Sequence, residues 1–189
     1  MREEDWARSV TERIHGYVQT LSGNYAADVE QKLCYANEVR QYRNKTAECQ
    51  EINFETDILV YEWVDDEVWK PRVVIEAKVG GVTTHDAITY SKKAQSHRAV
   101  HPFLRYGMFL GNIGDGGVPA RVLRHGENFD FMISWSSFEP NKTEWDALCG
   151  ILKSEIEASK VVEEVLFNNR AKDRNRYFAY HRPLVVHRA

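Results

Sequence analysis

The sequence predicts an α/β fold with a central mixed sheet and helices on its faces, and three observations predict it. Two stretches rich in β-branched and aromatic residues, 51–64 and 72–79, have apolar runs too short for helices and stand either side of a polar break. Stretches with apolar residues at helical spacing lie before and after them. The resulting order, helices, strands, helix, strands, helix, is the alternation that lays helices over a sheet.

The elements follow in order. Trp6, Val10, Ile14 and Val18 recur at helical spacing over 3–21, and Ser22–Asn24 breaks the pattern. A second helix is expected over 25–42, with Ala26, Val29, Leu33 and either Ala36 or Val39 toward a core. Asn44–Thr46 reads as a loop, 51–64 as a strand, 65–71 as a polar break and 72–79 as a strand again. A helix is expected over 83–100, because Thr83 stands three residues before Asp86 in a capping-box arrangement and Pro102 closes the run. Residues 103–113 read as a strand, 114–117 as a turn, and 120–126 and 129–135 as further strands. A long amphipathic helix over 142–167 carries Trp145, Leu148, Leu152, Ile156 and Val165 on or near one face. The expectation is one domain over 1–189, with a core at about 25–135 and a C-terminal helix and basic tail at about 142–189.

Composition narrows the class. Hydrophobic residues make up 43% and charged residues 28% of 189, ordinary for a soluble globular chain able to bury a core without disulfides. No run approaches ~18 apolar residues, so no membrane span is expected, and the charged start lacks the apolar centre of a signal peptide. Cys34, Cys49 and Cys149 are odd in number and far apart, which fits reduced packing residues and a cytoplasmic location. The net charge of −3 hides an asymmetry: residues 1–67 hold 15 acids and 7 Lys/Arg, residues 68–189 hold 13 and 18. A site that needs carboxylates to hold a cation makes total charge a poor guide to a nucleic-acid partner.

The informative stretch is Pro71–Gly81, an apolar strand that carries Glu76 and Lys78. Side chains alternate along a strand, so these two share a face. An antiparallel hairpin centred near Glu67 pairs residues whose numbers sum to about 134, which brings Asp57 opposite Ala77 and diagonal to Glu76 and Lys78. Two carboxylates that close repel each other unless a cation lies between them. Mg²⁺ takes one or two carboxylates and leaves room for water and a phosphate oxygen, and a neighbouring ammonium can orient water or offset phosphoryl charge. The plainer account is a surface ion pair on an edge strand. Val73, Val74, Ile75 and Val79 argue against it, because they call for burial on both faces.

With Asp57, an apolar strand, a polar break and then Glu76-Ala77-Lys78, the chain resembles the PD-(D/E)XK nuclease superfamily over about residues 25–113. Thr56 stands where the family's name has proline. The resemblance implies a restriction endonuclease-like three-layer fold and a Mg²⁺-dependent deoxyribonuclease of restriction or repair type, with Mn²⁺ as a substitute. It implies Asp57, Glu76 and the Ala77 carbonyl as metal ligands and Lys78 as the residue that positions or activates water. Many members add a glutamate from the preceding helix; Glu30 is the candidate and Glu38 the runner-up, while Glu55 replaces Asp57 if the register slips by two. Tyr90, Lys92, Lys93 and Arg98, with Gln95, are expected to touch the site or the DNA, and Arg174 and Arg176 to extend a basic, aromatic surface. A homodimer or partner subunit follows from the need for two sites in double-strand cleavage. The rival from another class is a catalytically silent nuclease-fold module that binds nucleic acid or serves an assembly. A third is a metal-dependent hydrolase of a small phosphorylated substrate, which would need a closed pocket.

Overall fold

The computed structural model describes residues 1–167, 176–181 and 183–187. A five-stranded mixed sheet in the order β1-β2-β3-β4-β5 forms the middle layer. Its strands are β1 (Tyr25–Arg43), β2 (Thr46–Trp63), β3 (Trp69–Val79), β4 (Arg105–Gly111) and β5 (Phe131–Ser134). β1, β2 and β3 pair antiparallel; β3, β4 and β5 pair parallel. The parallel pairs are joined by crossovers, through α2 (Thr84–Val100) and α3 (Ala120–His125). α1 (Glu3–Val18) precedes the sheet and α4 (Lys142–Phe167) follows it. Among the described residues no helix is long and apolar enough to cross a membrane.

Alternation along the strands separates two cores. Val73, Ile75 and Ala77 of β3 pack with Trp6, Val10, Ile14 and Val18 of α1 and Leu148, Leu152 and Ile156 of α4. Val74, on the other face, packs with Ala94 of α2 and Tyr106 of β4. β3 is therefore buried on both faces, as its near-continuous apolar run predicts. Residues of both α1 and α4 are thus part of the cluster that covers the face of β3 carrying Val73, Ile75 and Ala77.

The β2–β3 hairpin forms, but its register is one residue from the expected one: Ile58 lies opposite Ile75 and Val60 opposite Val73, a sum of 133 rather than 134, which brings Asp57 into line with Glu76 rather than Ala77. The predicted capping box is present: the Thr83 side chain accepts from the Asp86 amide, and the Asp86 carboxylate accepts from Thr83. Such a cap is worth about 1 kcal/mol.

Two further expectations fail. The stretch 120–126 is not a strand: Ala120–His125 form helix α3, entered through Pro119 in extended conformation and capped by Gly126. The larger correction is 25–42, which is strand and not helix. Ala26 and Leu33 lie in the same core cluster although seven residues apart, an odd offset that a regular strand would split between faces. Glu30 stands between them at φ 57°, and resets the alternation. Further register shifts follow at Cys34/Ala36 and Val39/Gln41. The irregular strand leaves apolar residues spaced as on a helix. Pairing with β2 through the tight turn Asn44–Lys45, with Asn44 at φ 55°, overrides that local signal.

Candidate active site

β3 ends at Val79, and Gly80 turns the chain at φ 75°, a conformation that favours glycine. At this end Glu76 is fully buried. Its Oε1 accepts from the Tyr106 hydroxyl and lies 2.8 Å from Lys93 Nζ. Among the described residues its Oε2 has no hydrogen-bond partner. Burial and the charge of Asp57 raise the Glu76 pKa to about 7, against the pull of Lys93 and Tyr106.

Asp57 approaches from β2, and its Oδ2 accepts from the Ala77 amide at 2.8 Å. Burial raises its pKa too; the Ala77 N–H and the two lysines pull the other way. Lys78 Nζ donates to Glu3 Oε1 at 2.6 Å and stands 5.3 Å from the centre of the Tyr90 ring. Burial works to lower the Lys78 pKa, but Glu3 and Tyr90 outweigh it and the net shift is upward. Lys93 Nζ also donates to the Glu55 carbonyl at 2.7 Å. Two carboxylates, two ammonium groups and two tyrosines thus converge from β2, β3, β4 and α2.

The remaining expected site residues divide. Tyr90 and Lys93 join the cluster. Lys92 is exposed and bonds Gln95. Arg98 is taken up inside the fold by Asp130 and the Asn128 carbonyl. Arg176 is exposed in the tail, and Arg174 lies outside the described residues. Glu30 is not on a helix: it sits in β1, exposed, and its Oε1 pairs with Arg8 at 2.9 Å. Glu38 lies further out on the same strand, 3.5 Å from Arg40. Glu55 reaches the site only through its main-chain carbonyl.

The helix that supplies a carboxylate is α1, and the residue is Glu3. Its second oxygen accepts from the Val79 amide at 3.2 Å. α1 reaches this position because Trp6 packs closely on Gly111 and Phe109 of β4. A Cβ on Gly111 would come within 2.4 Å of the Trp6 ring, so only glycine admits the contact. Trp6 Nε1 donates to the Phe138 carbonyl at 3.0 Å and fixes the helix from the other side. The sequence holds a signal for α1, its apolar spacing, but none for a contact spanning 75 residues. Tyr106 is likewise missed; a lone phenol in an apolar strand was its only mark.

The donor set suits a hard cation. Two carboxylates whose charges disfavour one another, one with an unpartnered buried oxygen, are what Mg²⁺ would relieve. Among the described residues no group of three or more His, Cys, Asp or Glu stands ready to hold a metal, so such an ion would depend on water and main chain for the rest of its shell. A groove of about 330 Å³ between α1 and β1, lined by residues including Arg8, Glu12 and His15, has neither Asp57 nor Glu76 in its wall. Comparison with models of known families and with curated proteins finds no match.

Proposed function

We propose that the protein is a metal-dependent deoxyribonuclease with a restriction endonuclease-like fold and a PD-(D/E)XK site. The observation that carries the reading is the convergence of Asp57, Glu76 and Lys78 at the end of β3, with one buried Glu76 oxygen unpartnered among the described residues. Buried like charges are costly, and a scaffold gains nothing from them.

Asp57, Glu76 and the Ala77 carbonyl would hold Mg²⁺, which supplies Lewis-acid polarisation of the phosphodiester and activation of water. Lys78 donates hydrogen bonds toward the attacked phosphoryl group and its water. Glu3 sets where that ammonium stands. The DNA backbone would pass over the end of β3, where the Lys78 side chain is 21% exposed.

The test is cleavage of supercoiled plasmid by the purified chain with and without Mg²⁺. Nicking that needs the metal is expected, and Asp57→Asn or Glu76→Gln lowers it at least about a hundredfold. Lys78→Ala keeps DNA affinity and loses turnover. Absence of metal-dependent nicking across duplex, branched and single-stranded substrates would favour the rival, a nuclease-fold module that binds nucleic acid without cutting it.

A further inference from the structure

Lys93 belongs to α2, yet its ammonium lies between the two carboxylate-bearing strands. It stands 2.8 Å from Glu76 Oε1 and 2.7 Å from the Glu55 carbonyl, and it pulls on Asp57 as well. Tyr106 donates to the same Glu76 oxygen, so one oxygen has two donors and the other has none among the described residues. The ammonium is 5.8 Å from the centre of the Phe54 ring, and the side chain is 16% exposed, so a short swing takes it to solvent.

We propose that Lys93 is a resident counter-ion that holds the carboxylates in the metal-free chain and must leave Glu76 for a divalent cation to enter. The proposal rests on the reading of Asp57 and Glu76 as cation ligands. A buried carboxylate beside a second one is strongly unfavourable without compensation, and among the described residues Lys93 is the ammonium that contacts Glu76. An ammonium on Oε1 and a divalent ion on Oε2 of the same carboxylate stand only a few ångströms apart, where like charges oppose each other strongly. Metal entry therefore breaks the Lys93–Glu76 pair, and the pair sets the metal concentration at which the site fills. Lysine suits this exchange. It is a point charge on a flexible stem, whereas a guanidinium would bind a carboxylate in a fixed fork.

A lysine that served only to hold the DNA backbone predicts a different pattern: unchanged metal affinity and weaker DNA binding. Mn²⁺ titration of the full chain without DNA separates the two, with free Mn²⁺ read by electron paramagnetic resonance. Lys93→Met is expected to tighten Mn²⁺ binding about tenfold or more. Lys153→Met, on the exposed side of α4, changes it less than twofold. Without metal, Lys93→Met melts at lower temperature than the wild type, and Mn²⁺ restores it. Lys93→Gln keeps a donor without the charge, and guards against misfolding of the Met variant. Unchanged or weaker Mn²⁺ binding in both folded variants, beside a wild type that binds, would overturn the counter-ion role and leave the site reading intact. If no variant shows a saturable Mn²⁺ site that Glu76→Gln removes, both fall together.

Discussion

An ammonium on a four-carbon stem can choose among many partners, and at Lys78 the choice is restricted by Glu3. One Glu3 oxygen takes the ammonium and the other takes the Val79 amide, so the carboxylate is itself held at two points. A charge-assisted hydrogen bond of this kind is about twice as strong as a neutral one. Glu3→Ala removes that anchor and leaves Tyr90 and the more distant carboxylates of Asp57 and Asp86 around Lys78. Under the proposed nuclease reading the expected outcome is a drop in kcat of about ten- to a hundredfold, with KM and DNA affinity within twofold. Single-turnover cleavage beside a binding isotherm checks it; equal loss in both would mean that Glu3 serves only to support the fold.

At the scale of elements, β1 and β2 continue past the sheet as a two-stranded ribbon. From Ala36 opposite Ile52 to Arg43 opposite Thr46 it projects roughly 25 Å at the usual rise per residue. One side is tied by Arg40 to Gln50 and by Arg43 and Gln41 to Glu48; Val39 and Tyr42 are exposed. A ribbon with no third strand is only marginally stable by itself. Trypsin should therefore cut first at Arg40, Arg43 or Lys45. Replacing 37–51 by Asn-Gly should move Tm by no more than about 4 °C. A larger fall would show that the ribbon supports the core. This ribbon is also where the sequence was least legible. β3 could be read from eight residues, because burial on both faces leaves an unbroken apolar run. α2 announced itself through Thr83 and Asp86. β1 could not be read, because Glu30 and two register shifts break its alternation into something helix-like. The site divides the same way. Asp57, Glu76 and Lys78 follow from strand alternation and one hairpin, while Glu3 depends on how α1 docks across the whole fold.

Across the whole molecule, charges gather at opposite ends of the parallel strands. The far end from the site holds Arg72 with Glu62 and Glu163, and Arg105 with Asp130 and Glu155, which clamp α4 to the sheet. Between the ends lies His97, fully buried, with no well-aligned hydrogen bond to either ring nitrogen among the described residues, although the Cys34 main chain stands near enough to oppose the fall in its pKa. It faces Lys93 and His101 on its own helix, Tyr35 of β1, Phe54 of β2 and Tyr106 of β4. Burial, helped by Lys93, lowers its pKa from 6.5 to about 4. A depressed pKa means that stability is present above 6.5 and is lost as pH falls toward 4, because the unfolded chain takes up the proton first. The loss is on the order of 2–3 kcal/mol. In the metal-free chain Glu76 works oppositely, since its raised pKa favours the fold below about 4.5 and that gain is lost as pH rises through 7. Urea midpoints across pH 4–7 should fall less steeply toward acid in His97→Leu than in the wild type; parallel curves would refute the assignment. The docking of Trp6 on Gly111 and Phe138 has a further consequence in time. A ribosome delivers the first helix long before the segment that receives it. A nascent chain exposing the aspartate, the glutamate and the lysine still lacks the anchorage that aligns them, so these side chains are fixed only after residue 138 has emerged.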